Sequence, residues 1–482
     1  MRYMMLVAIL FPILAGFSLL IGNLEDTRRI RRAALFCVCV TAACLWSAIL
    51  FAGDADLTLI RFTDEMTLAL KMDGLSRLFA GMVSVLWIFT TVYSFGYMKH
   101  EGMEKKFFGF FLMSFGVVAG IACARNLFTL YLFYEYLTFA TLPLVMHQMS
   151  RKSRYAGRVY LIFSITGGAA VFVAMMLLAR CGVSLEFVKG GLRSAGENAN
   201  LLRWTFLVAL MGFGVKAALF PLHYWLPTAS VAPTPVTALL HAVAVVKSGV
   251  FAIARCVFYV FGTELLSGSF AQTAMIGIAS FTVVFGSAMA LRIPHLKRRL
   301  AYSTVSNLSY IVLGIALMTD RSLCGAALHM LLHGVIKITL FFCAGAILIR
   351  TGSDYVSQLH GYGKRMPVTM ACFTLCGLGL IGVPPFGAFT SKYLMATSAV
   401  EAGGAMSYAG VGALLISEVL TALYIFQPVL AAYFPQKDLI STEGPQGDCE
   451  RCVTVPIAIL TGLSLAIALY PDALARLIET IL

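Results

Sequence analysis

The amino-acid sequence predicts an all-α polytopic membrane protein of about fourteen transmembrane helices, with two inverted five-helix repeats and two broken helices. Three observations carry this. Of 482 residues, 60% are hydrophobic and only 12% charged, a composition of membrane proteins rather than soluble domains. The apolar residues fall in blocks of about twenty, the length that a helix needs to cross a hydrocarbon core of roughly 30 Å. Two of the blocks are interrupted by prolines. Membrane-barrel strands would instead show short stretches alternating in and out.

Three blocks, at 4–21, 33–52 and 74–95, make an N-terminal unit over 1–106. The first has one arginine before it and "RRIRR" after it, the reverse of a secretory leader, so it is expected to be retained. The next five, at 107–122, 127–146, 158–179, 203–220 and 236–260, form a first repeat over 107–260. Blocks at 271–291, 301–319, 323–349, 369–400 and 407–433 form a second over 271–434, and 452–470 supplies a C-terminal helix within 452–482.

The repeat assignment comes from the prolines. The seventh block carries Lys216 followed by Pro221, Pro227, Pro233 and Pro235; the twelfth carries Pro384 and Pro385 before Lys392. Interior prolines break helices, and freed backbone groups at membrane depth are tolerated only inside protein or along a hydrated cavity. Discontinuous helices in corresponding positions of two halves point to an inverted-repeat transporter. The two breaks are five spans apart, and an odd interval gives the repeats opposite topology.

With the N-terminus outside, loops on the cytoplasmic side hold twenty Lys and Arg against eleven on the other. This matches the positive-inside rule, with both termini outside in a multi-pass protein of a prokaryotic cell membrane. The net charge of +13 is dispersed over short loops, which excludes a nucleic-acid partner and suits anionic lipid headgroups. Most of the twelve cysteines lie inside apolar blocks, where they act as small apolar side chains. Cys449 and Cys452 form a lone CxxC with no second pair, so no metal site is expected. There is no GxGxxG after a strand and no cysteine quartet, hence no expected cofactor.

Beyond the twenty and eleven counted on the two sides, five cations of the 36 are left, all within apolar blocks: Arg77, Lys216, Lys247, Lys337 and Lys392. Arg77 is one turn into its helix and can snorkel outward. Lys247 and Lys337 lie too deep for that, given a rise of about 1.5 Å per residue. Glu135 and Glu418 are the comparably buried acids. A charge at the bilayer centre costs at least about 2.5 kcal/mol, so these residues should face the bundle interior and have a purpose. His329, His333 and Lys337, spaced i, i+4, i+8, form a stripe on one helix face and read as a relay. His241 stands six residues before Lys247, an interval that puts it on another side of an ideal helix. Bland alternatives are ion pairs joining helices, or a haem held by His241, His329 or His333. Four lysines cannot all be neutralised by two carboxylates, however, and desolvation favours an uncharged amine. A carboxylate about 4 Å away opposes this by roughly 4 kcal/mol at an effective dielectric near 20. Movement of Glu135 would then load or release a proton.

Several stretches carry a family resemblance: "FYEYLTFATLPL", "KAALFPLHYWLPTASVAPTPVTALLHAVAVVKSGVFAIAR", "LKRRLAYSTVSNLSY", "HMLLHGVIKITLFFCAGAILIRTG" and "LIGVPPFGAFTSKYLM". Over roughly 70–430 the chain resembles the antiporter-like subunits shared by respiratory complex I, membrane-bound hydrogenases and Mrp-type cation/proton antiporters. The resemblance implies that Glu135 tunes Lys216 on the broken seventh helix, that Lys247 passes the proton on, and that Lys392 on the broken twelfth exchanges it with the far side. His241 and His333 would lie along the hydrated axis, with His329 and Lys337 at less specific positions and His223 structural or gating. The chain departs from the family at Thr228, usually Asp, and at Ala388, usually Gly. Glu418 has no counterpart in the pattern.

The chain ends soon after the fourteenth block, so one of the shorter subunits, without a lateral helix, is expected. The implied function is proton translocation by a non-catalytic member of a multisubunit complex of the complex I or hydrogenase type. Implied partners are other antiporter-like membrane subunits, a peripheral redox arm, membrane lipids, and H⁺ with Na⁺ as a possible counter-ion. One alternative is a component of an Mrp-type Na⁺/H⁺ antiporter; another is an integral haem or quinone redox protein.

Overall fold

The computed structural model describes residues 2–53, 55–63, 66–192, 196–435 and 446–481. Its main helices are α1 (Tyr3–Ile21), α2 (Thr27–Phe51), α3 (Gly74–Glu101), α4 (Glu104–Ala122), α5 (Leu127–Val145), α6 (Arg151–Arg180), α7 (Ala199–Lys216), α8 (Thr234–Ala242) and α9 (Val245–Arg255). They continue with α10 (Phe270–Arg292), α11 (Leu296–Ala316), α12 (Asp320–Thr351), α13 (Pro367–Ile381), α14 (Ala388–Ala402), α15 (Ala405–Tyr433), α16 (Arg451–Leu469) and α17 (Pro471–Ile481). Among the described residues, eleven helical stretches are long and apolar enough to cross a membrane, with Thr234–Phe261 taken as one. Three expected spans, 203–220, 301–319 and 369–400, fall on α7, α11 and the α13–α14 pair, which miss that standard by length or by apolar content.

Polar caps start several helices where the sequence leaves an apolar block. Asn126 accepts the Thr129 N–H at 2.7 Å ahead of α5, and Thr319 and Ser322 cap α12 reciprocally, satisfying donors that have no partner within the helix. One element departs from the all-helical reading. Strands β1 (Asp56–Arg61) and β2 (Thr67–Lys71) pair antiparallel, with a bulge between Thr58 and Ile60. The polar–apolar alternation of "DLTL" and "TLALK" is the period of a strand, and it lies in a link that the apolar blocks do not cover.

The core runs along α12, which is buried over most of its 32 residues and packs against α3, α8, α11, α13, α14 and α16. The Thr234–Phe261 stretch is buried throughout, whereas α1, α2, α6, α15 and α16 leave most of their apolar surface uncovered. The first group holds Lys247, Lys337, His241, His329 and His333.

Three interruptions shape the interior. After α7 the chain turns through Leu222–Tyr224 and Trp225–Thr228 before α8, and the Trp225 indole donates to the Val215 carbonyl at 2.6 Å, satisfying one group freed by the break. Between α13 and α14, Gly382 takes a left-handed conformation (φ 86°) ahead of Pro384 and Pro385. The third has no proline: the Ala244 N–H bonds the Leu239 carbonyl at 2.8 Å, five residues back, in a wide turn between α8 and α9.

Candidate functional site

Lys216 is the last residue of α7 and fully buried. Its Nζ donates to the Tyr134 carbonyl of α5 and lies 3.5 Å from the centre of the Tyr134 ring. Glu135, the next residue on α5, is half-buried, and its Oε1 has no hydrogen-bond partner. No ion pair within 4.0 Å joins the two among the described residues, although Glu135 is the charged group that acts on Lys216. The carboxylate rests on Gly168 of α6, where a Cβ would collide with Oε1. Gly249, two residues after Lys247, makes a similar close approach: a Cβ there would collide with the Ala217 nitrogen. α9 is thereby seated on the backbone beside Lys216.

The middle of the bundle collects Lys247, His333, Lys337 and His241, all buried. Lys247 Nζ lies 2.8 Å from His333 Nδ1. Lys337 donates to the Leu300 carbonyl at 3.1 Å and to the Ser303 hydroxyl. His241 packs on Phe341, ring centres 5.0 Å apart, and neither of its ring nitrogens has a partner; nor has His333 Nε2. His333 is within electrostatic reach of Lys247, Lys337, His329 and His241. The charges acting on these four residues include no carboxylate. The six-residue interval from His241 to Lys247 would separate them on an ideal helix. The wide turn at Val243–Ala244 lies between them, and His241 shares the cluster.

The stripe on α12 leads onward. The rings of His333 and His329 are 6.1 Å apart, and His329 bonds Ser391 Oγ at 2.9 Å and Asn307 Oδ1 at 3.3 Å. The residue after Ser391 is Lys392, whose Nζ donates to the Leu380 and Ile381 carbonyls at 3.2 and 2.9 Å. These are the carbonyls that the second break frees at the end of α13, and the lysine satisfies them. Glu418 Oε1 of α15 lies 3.6 Å from the same nitrogen.

Other sequence candidates fall into structural places. Arg77 reaches the Gly53 carbonyl at 3.3 Å. His223 stacks on Phe220 and meets the Phe285 ring edge-on in the first break. The Thr228 hydroxyl donates to the Tyr224 carbonyl at 2.8 Å. Among the described residues no group of three His, Cys, Asp or Glu is arranged to hold a metal ion.

Three buried cations escape the sequence reading. Arg255, which lies inside the block 236–260 but is counted there with the outer-side cations, is completely buried. It pairs with Asp73 at 2.6 Å, bonds Ser76 Oγ at 2.8 Å and lies over the rings of Phe187, Phe251 and Tyr259. Lys297 and Arg299 of "LKRRL" fall in an expected loop but belong to α11. Arg299 donates to the Ile293 and Tyr424 carbonyls at 2.8 and 3.0 Å, and Lys297 reaches the Ala232 carbonyl of the first break at 3.4 Å. The available signal is position: each sits at the edge of an apolar block, where a loop and a helix end read alike.

Helices broken around buried lysines, with a stripe of histidines between them, define a membrane protein of the ion-translocating type. The chain belongs to the NADH:quinone oxidoreductase/Mrp antiporter membrane family, whose model matches residues 124–421. A second model, the N-terminus of complex I chain 5, matches residues 62–108. NADH-quinone oxidoreductase subunit N of Desulforudis audaxviator is 34% identical over 379 residues, covering 76% of this chain and 72% of that one. A probable K⁺/H⁺ antiporter subunit of Rhizobium meliloti is 31% identical over 341 residues, 70% of this chain but only 33% of that longer protein. Among solved structures, a chain of the archaeal membrane-bound sulfane sulfur reductase superposes with a TM-score of 0.86 at 22% identity, covering 98% of this chain and 96% of that one. A chain of the Mrp complex from Dietzia sp. DQ12-45-1b gives 0.86 at 20% identity, covering 100% and 97%. These two likenesses establish the fold.

Proposed function

We propose that the chain is a proton-translocating subunit of a multisubunit membrane complex, carrying protons along Glu135, Lys216, Lys247, His333, His329 and Lys392, with His241 and Lys337 beside the central pair. The observation that carries this reading is the acid-free middle of the row. Two lysines and two histidines lie in mutual reach there, and the central link is the 2.8 Å contact between Lys247 and His333. Cations packed without a carboxylate cannot all hold their protons, so a proton arriving from one side displaces another toward the next group. The unpartnered nitrogens of His241 and His333 are buried polar atoms of the kind that ordered water satisfies, which would hydrate the row.

Glu135 sets the input. Its free oxygen lets it swing between Gly168 and Lys216, and approach to the lysine would favour the ammonium. In the same reading 107–260 and 271–434 are the two inverted repeats, each contributing a broken helix with a lysine beside the break, and both termini face outward. The resemblance to subunit N supports a complex driven by redox chemistry in partner subunits. Similarity to K⁺/H⁺ and Na⁺/H⁺ antiporter subunits favours a second reading, exchange of protons against a monovalent cation.

The test is proton uptake by inverted membrane vesicles containing the assembled complex. Lys216→Ala and Glu135→Ala should abolish or strongly reduce uptake without loss of the complex; normal pumping by both variants would remove these residues from the path. Uptake that appears with an electron donor and needs no Na⁺ or K⁺ supports the redox-driven reading, and uptake that requires a gradient of either ion supports the exchange reading.

A further inference from the structure

The row of proton carriers has a step with no direct bond between its members. The hydrogen bonds of Lys392 go to the Leu380 and Ile381 carbonyls, and those of His329 go to Ser391 and Asn307. We propose that Ser391 is a further proton-transfer group, the hydroxyl through which His329 passes its proton toward Lys392, and that Asn307 is the positioning residue that closes the other side of the ring. This rests on the relay reading and supplies the link between two of its members.

Partners fix the orientation of the Asn307 amide. Its Nδ2 donates to the Ser303 carbonyl at 2.7 Å, an acceptor with no proton to give, so the amide oxygen is the atom that faces His329 Nε2 at 3.3 Å. That oxygen only accepts. His329 Nε2 therefore carries hydrogen, and the moving proton is confined to Nδ1. There the partner is the Ser391 hydroxyl at 2.9 Å, and Ser391 in turn donates to the Ala388 carbonyl at 2.9 Å. A hydroxyl carries one hydrogen and two acceptor lone pairs. With His329 as the imidazolium, Nδ1 donates to Oγ while the hydroxyl is turned to Ala388; with His329 neutral, the hydroxyl turns back and donates to Nδ1. Of the two partners of His329, Ser391 is the one that can both take a proton and give one.

The same end of α14 holds the receiver. Ala388 opens the helix and the Lys392 side chain folds back to its first turn, where a Cβ on Gly382 would lie 3.4 Å from Nζ and 3.5 Å from the Phe389 nitrogen. A hydroxyl turned to Ala388 faces that turn. In the step itself an N–H bond at Nδ1 breaks and an O–H bond forms on Oγ, while the hydroxyl's own O–H bond breaks and its proton crosses the turn to the uncharged amine of Lys392, where an N–H bond forms. The imidazolium becomes neutral, the amine becomes an ammonium, and the serine is regenerated.

His329, Ser391 and Asn307 are all buried, and no carboxylate acts on the ring. The charges that reach it are Lys392 on α14 and Lys247 on α9, with His333 one turn away on α12 and Tyr310 of α11 stacked on it at 5.5 Å. The Tyr424 hydroxyl of α15 lies near Asn307. A neutral amide at Nε2 suits a relay, since it fixes the ring without holding the moving proton there.

The test compares Ser391→Ala and Ser391→Thr in the assembled complex, with Lys216→Ala in parallel, reading proton uptake and its dependence on pH. Ser391→Ala should assemble normally yet lower uptake by about tenfold or more, toward the scale of a positioned proton-transfer group. Ser391→Thr keeps the hydroxyl and should stay within about threefold of the unsubstituted complex. A smaller fall in Ser391→Ala would overturn the proposal, and so would an equal fall in both variants, which would trace the loss to packing. Asn307→Asp checks the positioning residue: a carboxylate at Nε2 holds the imidazolium, so uptake should fall near neutral pH and recover as the pH is raised. A pH profile parallel to that of the unsubstituted complex would reduce Asn307 to a structural bond between α11 and α12, and this variant decides alone should Ser391→Ala not assemble. Should Lys216→Ala also pump normally, the relay reading itself has failed; should it abolish uptake while Ser391→Ala pumps normally, only this link has.

Discussion

The two breaks use the same ingredients in opposite order. At the first, the lysine is the last residue before the interruption, its ammonium is held by a carbonyl and a ring of the neighbouring α5, and Glu135 keeps an oxygen free. At the second, the lysine follows the interruption and is held by the two carbonyls the break itself releases, with a carboxylate 3.6 Å away. Between them lies a cluster with no acid. A carboxylate with an unsatisfied oxygen has somewhere to go, whereas one already beside its ammonium has a proton to accept. On the proposed reading, this contrast gives control to the first end and exchange to the second.

The most damaging change would be at the first break. Lys216→Ala should reduce proton uptake by roughly a hundredfold or more, the scale expected on removing a positioned proton-transfer group. Lys392→Ala should match it if both ends lie on one path. A surviving tenth or more of the uptake in either variant would mean that its end can be bypassed, and the comparison would then describe two independent routes.

Arg255→Ala should separate folding from transport. Removing one partner of a buried ion pair costs about 3–5 kcal/mol, so the chain should unfold at lower temperature, or the complex assemble poorly, while whatever complex forms pumps at the normal rate per molecule. Burial disfavours ionisation of Asp73, but the charge and hydrogen bonds of Arg255 and a bond from Ser76 outweigh it and hold the carboxyl below its ordinary range. A group held low contributes stability that is present above the ordinary carboxylate range and lost as pH falls through the lowered value. Thermal stability should therefore fall in acid, and Asp73→Asn should flatten that acid limb. Reduced uptake per assembled Arg255→Ala complex would show that this pair also serves transport.

What the sequence makes legible follows from the physics of each feature. The buried lysines stand out because a charge inside a twenty-residue apolar block is costly wherever the block folds. Pro221 and Pro385 announce their breaks because proline cannot continue a helix. The wide turn at Val243–Ala244 has no such marker: "HAVAVVKSG" is helix-compatible throughout, and the interruption shows itself only in which carbonyl the Ala244 N–H reaches. Arg255, Lys297 and Arg299 are illegible for another reason, since a cation at the end of a block reads as loop until a partner from a distant segment, Asp73 or Tyr424, is placed against it. Glu418 is visible as an acid inside an apolar block, but that it is only half-buried and lies beside Lys392 depends on how α14 and α15 pack.

A smaller effect should come from Gly168→Ala. The added methyl would collide with Oε1 of Glu135, and the side chain, being flexible, would yield rather than the helix. Assembly should stay normal while uptake changes severalfold, because the carboxylate is moved relative to Lys216. In the Glu135→Ala background the same substitution should have no further effect. An equal effect in both backgrounds would place its cause in the packing of α6 and remove the free carboxylate from the first end.

The smallest effects should come from the two departures from the family pattern, one at each break. Thr228 is partly exposed and its hydroxyl serves the turn in which it lies. Ala388 starts α14 and is buried, and its carbonyl accepts from Ser391, the residue that also holds His329. Thr228→Asp should leave uptake within about twofold. Ala388→Gly should cost up to about 1 kcal/mol of helix stability and disturb uptake more than Thr228→Asp, since any loosening there passes through Ser391 to His329. The order of these two small effects, measured in one vesicle preparation, checks the contrast between the breaks where it is weakest: a larger effect at Thr228 would make the first break the more finely tuned end on its outer surface as well as at its carboxylate.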